Sequence, residues 1–235
     1  MRGSWWFCLR SALSRVLGED LIGSRKYSLF HIIVKSIESP RQQCMARIAS
    51  KEVPVFVDDM SRPSTLDLLD DASIAAAAQR VSEDGPLDLV IVATGILHRD
   101  ELQPEKTLRY IDGSSMVDVL RVNTVGPAVV AKHFLPLMRR GARSVFAVLS
   151  ARVGSIDDNR LGGWVSYRAS KAALNMTMKT LAIEHARRWP DGVLASLHPG
   201  TVATDLSEPF RSRVPPGKLF TPEVSAAHLL GVVDG

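Results

Sequence analysis

The stretch Leu87-Asp88-Leu89-Val90-Ile91-Val92-Ala93 is almost unbroken in apolar character and lies between two segments of helical periodicity. A strand that shows apolar side chains on both faces needs cover on both, and parallel sheets obtain that cover from the helices connecting their strands. The same alternation runs from about residue 53 onward. Residues 53–57 read as a strand, and Asp71-Ala72-Ser73 as the cap of a helix reaching Val81. Residues 115–140 read as a long helix bent at Pro127, and 144–149 as a strand ending at Ser150. A helix then runs to about residue 188, followed by a strand over 193–197. Thr221-Pro222-Glu223 opens a last helix, a capping hydroxyl followed by proline at the first helical position. This order predicts an α/β fold, a doubly wound parallel sheet of Rossmann type in a single domain. Residues 1–52 fit the alternation poorly, with apolar patches only at 19–24 and at His31-Ile32-Ile33-Val34.

Bulk properties exclude several classes of partner. The net charge of +4 comes from scattered arginines and lysines, with no basic tract to follow a phosphate backbone, so no nucleic-acid partner is expected. No apolar run approaches the roughly 18 residues of a membrane span, so no membrane partner is expected either. The two cysteines, Cys8 and Cys44, match no metal spacing or disulfide framework, which suits a reducing compartment. The six histidines form no zinc pattern, and no metal site is expected. The first eighteen residues carry Arg2, Arg10 and Arg15 and no acid before Glu19, a composition resembling an organellar leader. On so short a segment a surface helix or loosely ordered end is the commoner meaning. The cytoplasm is the default expectation, with mitochondria the weaker alternative.

Three loops fall where an open parallel sheet binds ligands, beyond the carboxyl ends of its strands. They are Ala93-Thr94-Gly95, Ser150-Ala151-Arg152-Val153-Gly154 and Pro199-Gly200-Thr201-Val202-Ala203-Thr204. Downstream, Ser166-Tyr167-Arg168-Ala169-Ser170-Lys171 sets a phenol and an amine four residues apart, on one face of a helix. A phenol with a pKa near 10 exchanges protons poorly at neutral pH, and an adjacent ammonium is expected to lower it. Asn123, within Val122-Asn123-Thr124-Val125-Gly126, completes the set.

In this order and spacing the chain resembles the short-chain dehydrogenases/reductases, over residues 53–235. Gly154-Ser155-Ile156-Asp157-Asp158-Asn159 and Gly162-Gly163-Trp164 make it most similar to the C-factor-like subgroup. The resemblance implies an NAD(P)H-dependent oxidoreductase that interconverts a small-molecule carbonyl and alcohol, possible as a homo-oligomer. Tyr167 would be the general acid/base, Lys171 would support it and bind the nicotinamide ribose, and Asn123 would hold a water of the proton relay. Ala93, Thr94 and Gly95 would let the backbone approach the cofactor. Pro199, Gly200, Val202 and Thr204 would orient the nicotinamide, and Asp67 with Leu68 would hold the adenine edge. Ser61 and Arg62 sit where the adenosine ribose is read. An arginine there accommodates a 2′-phosphate, so NADP is expected over NAD, although Asp58 and Asp59 just upstream would favour the opposite. The loops 97–107 and 207–219 would shape the substrate pocket, with 214–218 as its mobile cover.

The chain departs from the family pattern in three places. The glycine-rich phosphate loop is reduced to Gly23, with Tyr27 and Leu29 at the other two glycine places, so residues 1–52 form an atypical N-terminal part of the nucleotide-binding fold. Family spacing puts the catalytic serine at Ala151, leaving Ser150 as the assigned residue and Ser155 as a second candidate. The family's last strand is missing after the helix of 226–233. These departures sustain an alternative: a catalytically impaired relative, working as a binding or signalling protein.

Overall fold

The computed structural model describes residues 32–35, 52–56, 64–83, 85–99, 102–204 and 206–234. Six strands form one sheet in the order β3-β2-β1-β4-β5-β6. They are β1 (Ile32–Lys35), β2 (Glu52–Phe56), β3 (Ser64–Asp67), β4 (Leu89–Val92), β5 (Ser144–Leu149) and β6 (Gly192–Leu197). The helices are α1 (Asp71–Ser82), α2 (Gly113–Leu120), α3 (Gly126–Phe134), α4 (Val165–Ala186) and α5 (Pro222–Asp234). A two-stranded ribbon, β7 (Thr201–Val202) with β8 (Leu219–Phe220), lies between β6 and α5 in the chain.

β4, β5 and β6 run parallel, as expected, with Leu89 opposite Val145 and Ser144 opposite Gly192. The other side of the sheet alternates direction instead. β1 is antiparallel to β4, β2 parallel to β1, and β3 antiparallel to β2. A four-residue apolar strand carries no signal for direction. Direction is set by the connection, which for a parallel pair must be a long crossover. The segment 19–24, singled out in the sequence, lies outside the described residues.

Because strand side chains alternate between faces, β4 and β5 build two cores. Val90, Val92, Phe146 and Val148 face Ile74 of α1, Val119 of α2, Phe134 of α3 and Leu174 of α4. Leu89, Ile91, Val145 and Ala147 face Ala226, Leu229 and Leu230 of α5. Phe134 and Phe146 are fully buried, and each such side chain contributes about 1.5–3 kcal/mol through removal from water. The result is helices on both faces of a Rossmann-type sheet.

The long helix expected over 115–140 is interrupted, although not at Pro127. α2 passes through a single π-turn, Arg121–Val125, into α3. Pro127 lacks an N–H, and its ring would meet the carbonyl four residues back in a regular helix. The wider turn just before it relieves that conflict and leaves Val122, Asn123 and Thr124 buried. At its end Gly126 permits close packing, since a Cβ there would lie 2.5 Å from Cγ of the buried Leu68. The cap of α1 is Asp70, whose carboxylate accepts the Ala72 N–H at 3.0 Å. Asp71 instead pairs with Lys132 and His133 of α3, and the hydrogen bond from Lys132 leads the causes that lower its pKa.

The one-turn helix Arg152–Gly154 lies directly on α4, where a Cβ on Gly154 would come within 2.8 Å of the Lys171 carbonyl carbon. Since that atom is backbone, the turn itself has to move if Gly154 becomes alanine. Gly154→Ala is expected to lower unfolding stability by about 1–3 kcal/mol, read from urea denaturation, and an unchanged midpoint would contradict the packing described.

At the other end of α4, the buried His185 stacks on Trp189 with ring centroids 4.8 Å apart, and the Arg140 guanidinium lies 4.6 Å from the Trp189 centroid. Burial lowers the pKa of His185. The folded state therefore resists a proton that the unfolded state accepts below its ordinary pKa of about 6.5. Stability is expected to fall as pH drops through that value, and less steeply in His185→Gln, when urea midpoints at pH 7.5 and 5 are compared. Equal pH dependence in the two proteins would count against this account.

Candidate active site

α4 brings Tyr167 and Lys171 to the carboxyl ends of β4 and β5. Lys171 is 3% exposed, and its Nζ donates to the Leu149 carbonyl at the end of β5 (2.9 Å). A Cβ on Gly95 would sit 3.2 Å from Nζ and 3.4 Å from Asn123 Oδ1. The small residue after β4 is therefore what lets this loop, the amine and the amide meet.

Asn123 is wholly buried in the π-turn and clips this junction together. Its Oδ1 accepts the Ile96 N–H (2.8 Å), while Nδ2 donates to the Ile96 carbonyl (2.9 Å) and to Ser170 Oγ (3.0 Å). Thr124 Oγ1 donates to the Ser170 carbonyl (2.8 Å), and Ser170 Oγ donates to the Tyr167 carbonyl (2.8 Å). Three chain segments remote in sequence are thus fixed to the turn of α4 that carries Tyr167 and Lys171.

Tyr167 is half-buried, with Lys171 Nζ 5.8 Å from its ring centroid. Burial pushes the phenol up to about 12 and pulls the Lys171 ammonium down to about 8. The expectation of an acidified phenol is not met in this geometry, because loss of water around the hydroxyl outweighs an amine whose bond goes to Leu149. At neutral pH the pair is a protonated phenol beside a cation.

Ser150 is 7% exposed, and its Oγ donates to Asn175 Oδ1 (2.7 Å). Asn175 lies eight residues beyond Tyr167 on α4, about 12 Å further along the axis. The Ser150 hydroxyl is therefore engaged two turns from the phenol. Ser155 Oγ accepts the Asp158 N–H (3.3 Å) and serves its own loop.

The remaining residues surround the same strand ends. Ala93 and Thr94 are buried after β4, and Thr94 Oγ1 has no hydrogen-bond partner. Gly200 adopts a left-handed φ of 77°, and a Cβ there would strike the Phe220 ring. The Pro199 carbonyl accepts Ser225 Oγ from α5 (2.6 Å). Val202 and Thr204 are buried, and the Thr204 N–H donates to the Val202 carbonyl (2.9 Å). Asp67 closes a turn by accepting the Leu69 N–H on Oδ1 (2.8 Å). Gly23, Ser61 and Arg62 lie outside the described residues.

The two loops expected to shape a pocket connect to Tyr167 through the ring of Trp164. The Trp164 ring stands 6.4 Å from that of Tyr167 and 4.7 Å from that of Phe210, which lies 6.1 Å from His98. Sequence reasoning missed Asn175, Ser170 and Glu105. The last is buried beside the start of α4, and its partners lie 61 positions away, a separation that no local pattern signals.

The sequence and the fold of this chain have known counterparts. Residues 26–215 match the short chain dehydrogenase family. The chain is 37% identical over 177 residues to 1-hydroxy-2-glutathionyl-2-methyl-3-butene dehydrogenase of Rhodococcus sp. strain AD45, covering 72% of this chain and 70% of that one. It is 33% identical over 152 residues to C-signal of Myxococcus xanthus, covering 64% and 82%, in agreement with the C-factor-like subgroup. Among solved structures, a short-chain dehydrogenase/reductase of Burkholderia multivorans with bound NADP superposes with a TM-score of 0.59 at 28% identity, over 77% of this chain and 68% of that one. An NADPH-bound carbonyl reductase from chicken fatty liver gives 0.60 at 29%, over 71% and 67%. The match over residues 26–215 and the identity shared with these relatives show that the chain belongs to the short-chain dehydrogenase family.

Proposed function

We propose that the protein is an NADP-dependent oxidoreductase that reduces the carbonyl of a small molecule, with Tyr167 as the proton donor. The observation that carries this reading is the contact of Lys171 Nζ, Asn123 and the Gly95 backbone at one strand edge, within a helical turn of the phenol. The described part of the edge also suits a dinucleotide. A Cβ on Gly95 would crowd Lys171 Nζ and Asn123 Oδ1, and Thr94 Oγ1 is a buried hydroxyl without a partner. The NADP-bound and NADPH-bound structures similar to this chain support the choice of NADP, as does Arg62 in the sequence.

The residues of this chain would divide the work as follows. Lys171, Gly95 and Thr94 would receive the nicotinamide side of the cofactor, Val202 and Thr204 its carboxamide, and Asp67 with Leu68 the adenine. NADPH would supply the hydride. Tyr167, held protonated by burial, gives its proton to the oxygen that the hydride turns into an alkoxide. Burial keeps the phenol in its protonated form, which is the form that carbonyl reduction needs from a proton donor. The Lys171 cation stabilises the phenolate left behind, and Asn123 keeps the turn rigid during transfer. The paired rings of Trp164 and Phe210 would shield the substrate side from water.

The engagement of Ser150 with Asn175, together with Ala151, favours a second reading, a catalytically impaired family member that works by binding a partner. Calorimetric titration with NADPH and a carbonyl-substrate panel separate the two. Micromolar binding with turnover supports the oxidoreductase, and absence of binding at millimolar NADPH leaves only the alternative. Tyr167→Phe is expected to keep NADPH affinity and lose about 10²–10⁴ in turnover. Full turnover by that variant would end the proposed role.

A further inference from the structure

We propose that Glu105 is a positioning residue for Tyr167: its buried carboxylate caps α4 from a separate loop and so fixes the phenol. Only the kinetic part of this inference rests on the oxidoreductase reading above.

A helix begins with backbone N–H groups that no residue of the helix accepts, and a Ser, Thr, Asp or Asn at the N-cap normally takes one of them. The N-cap of α4 is Trp164, which has no acceptor atom. It is also the one non-glycine residue with positive φ among those described, at 53°, directly after Gly162 and Gly163 at 64° and 66°. The chain thus enters its longest described helix through three successive left-handed residues and without a local cap.

Glu105 supplies what is missing. It is 5% exposed, and both carboxylate oxygens lie 3.3 Å from the Ser166 backbone nitrogen, whose N–H they accept. Ser166 Oγ donates to the same carboxylate, and Ser166 is itself 3% exposed. The backbone carbonyl of Glu105 accepts the Trp164 N–H (2.5 Å). One residue therefore grips the entry loop on both sides of Val165. Among the described residues no cation forms an ion pair with Glu105. The negative charge is matched instead by these donors and by the positive end of the helix dipole, the condition under which a buried carboxylate is tolerated. Arg168 secures the other side of the loop, donating to the carbonyls of Gly163 (2.9 Å) and Gly162 (3.2 Å).

Tyr167 follows Ser166 in the same turn. Releasing the Glu105 grip frees 164–167 while leaving Lys171 bound to Leu149 one turn further on. The phenol then moves relative to the amine, and a displacement of about 1 Å is enough to cost about 10² in rate.

The test measures amide hydrogen exchange, NADPH affinity and turnover in wild type, Glu105→Ala and Glu105→Gln. In Glu105→Ala, exchange at Ser166 and Tyr167 should quicken about five- to tenfold, the equivalent of losing one cap, with Leu174 and NADPH affinity unchanged. Turnover should fall about 10². Glu105→Gln, which keeps an acceptor for Ser166, should recover most of both. Wild-type protection of Ser166 and Tyr167 in Glu105→Ala overturns the proposal. So does a loss of exchange protection spread evenly along α4 together with lost NADPH binding, because that marks general loosening. If Glu105→Ala does not fold, Glu105→Asp decides, because one methylene fewer draws the carboxylate back from the Ser166 N–H: faster exchange at Ser166 supports the cap, and unchanged exchange overturns it. A wild type that reduces no carbonyl yet shows the exchange pattern removes the oxidoreductase reading and leaves the cap standing.

Discussion

A single buried ammonium governs how this molecule is put together. Lys171 is almost entirely removed from water and finds its acceptor in the Leu149 carbonyl, where β5 ends. A buried charge without such a bond is strongly unfavourable, so α4 can seat on the sheet in one rotation only. That rotation turns Tyr167 toward the same edge. It also requires the absence of side chains at Gly95, facing the amine, and at Gly154, under the backbone of Lys171.

Rigidity at this edge comes from polar groups shared between elements. Asn123 reads both backbone groups of Ile96 and reaches Ser170, so the loop after β4, the π-turn and α4 move together. The π-turn is the local irregularity that Pro127 makes favourable, and it aims Asn123 inward. The pocket side is built differently, from rings of loops at 98, 164 and 210. A stiff polar edge beside aromatic loops offers fixed distances on one side and adaptable contact on the other, as the proposed proton transfer would require.

Much of this was legible in residue order. The apolar run of 87–93 announced a strand covered on both faces, and β4 became one. The four-residue spacing of Tyr167 and Lys171 put them on one helix face, and they lie there. Other features were hidden for physical reasons. The direction of β1 depends on its connections, and its apolar side chains read alike either way. The cap of α1 falls on Asp70, one residue before the stretch read as the cap, and Asp71 is instead engaged by Lys132 and His133 of α3. The aim of Ser150 depends on which face of the strand end turns toward Asn175. Glu105 could not be found, since its donors are 61 residues distant.

What the amino-acid order determined by itself was local: which segments are strand or helix, and which reactive groups share a helix turn. These follow from periodicity and short-range sterics. Only the tertiary structure decided the protonation tendencies of Tyr167 and Lys171, because each is governed by how much water the packed chain removes. It also decided the partner of Ser150 and the source of the cap on α4. Those choices depend on atoms brought together from opposite ends of long chain segments, and no spacing rule encodes them.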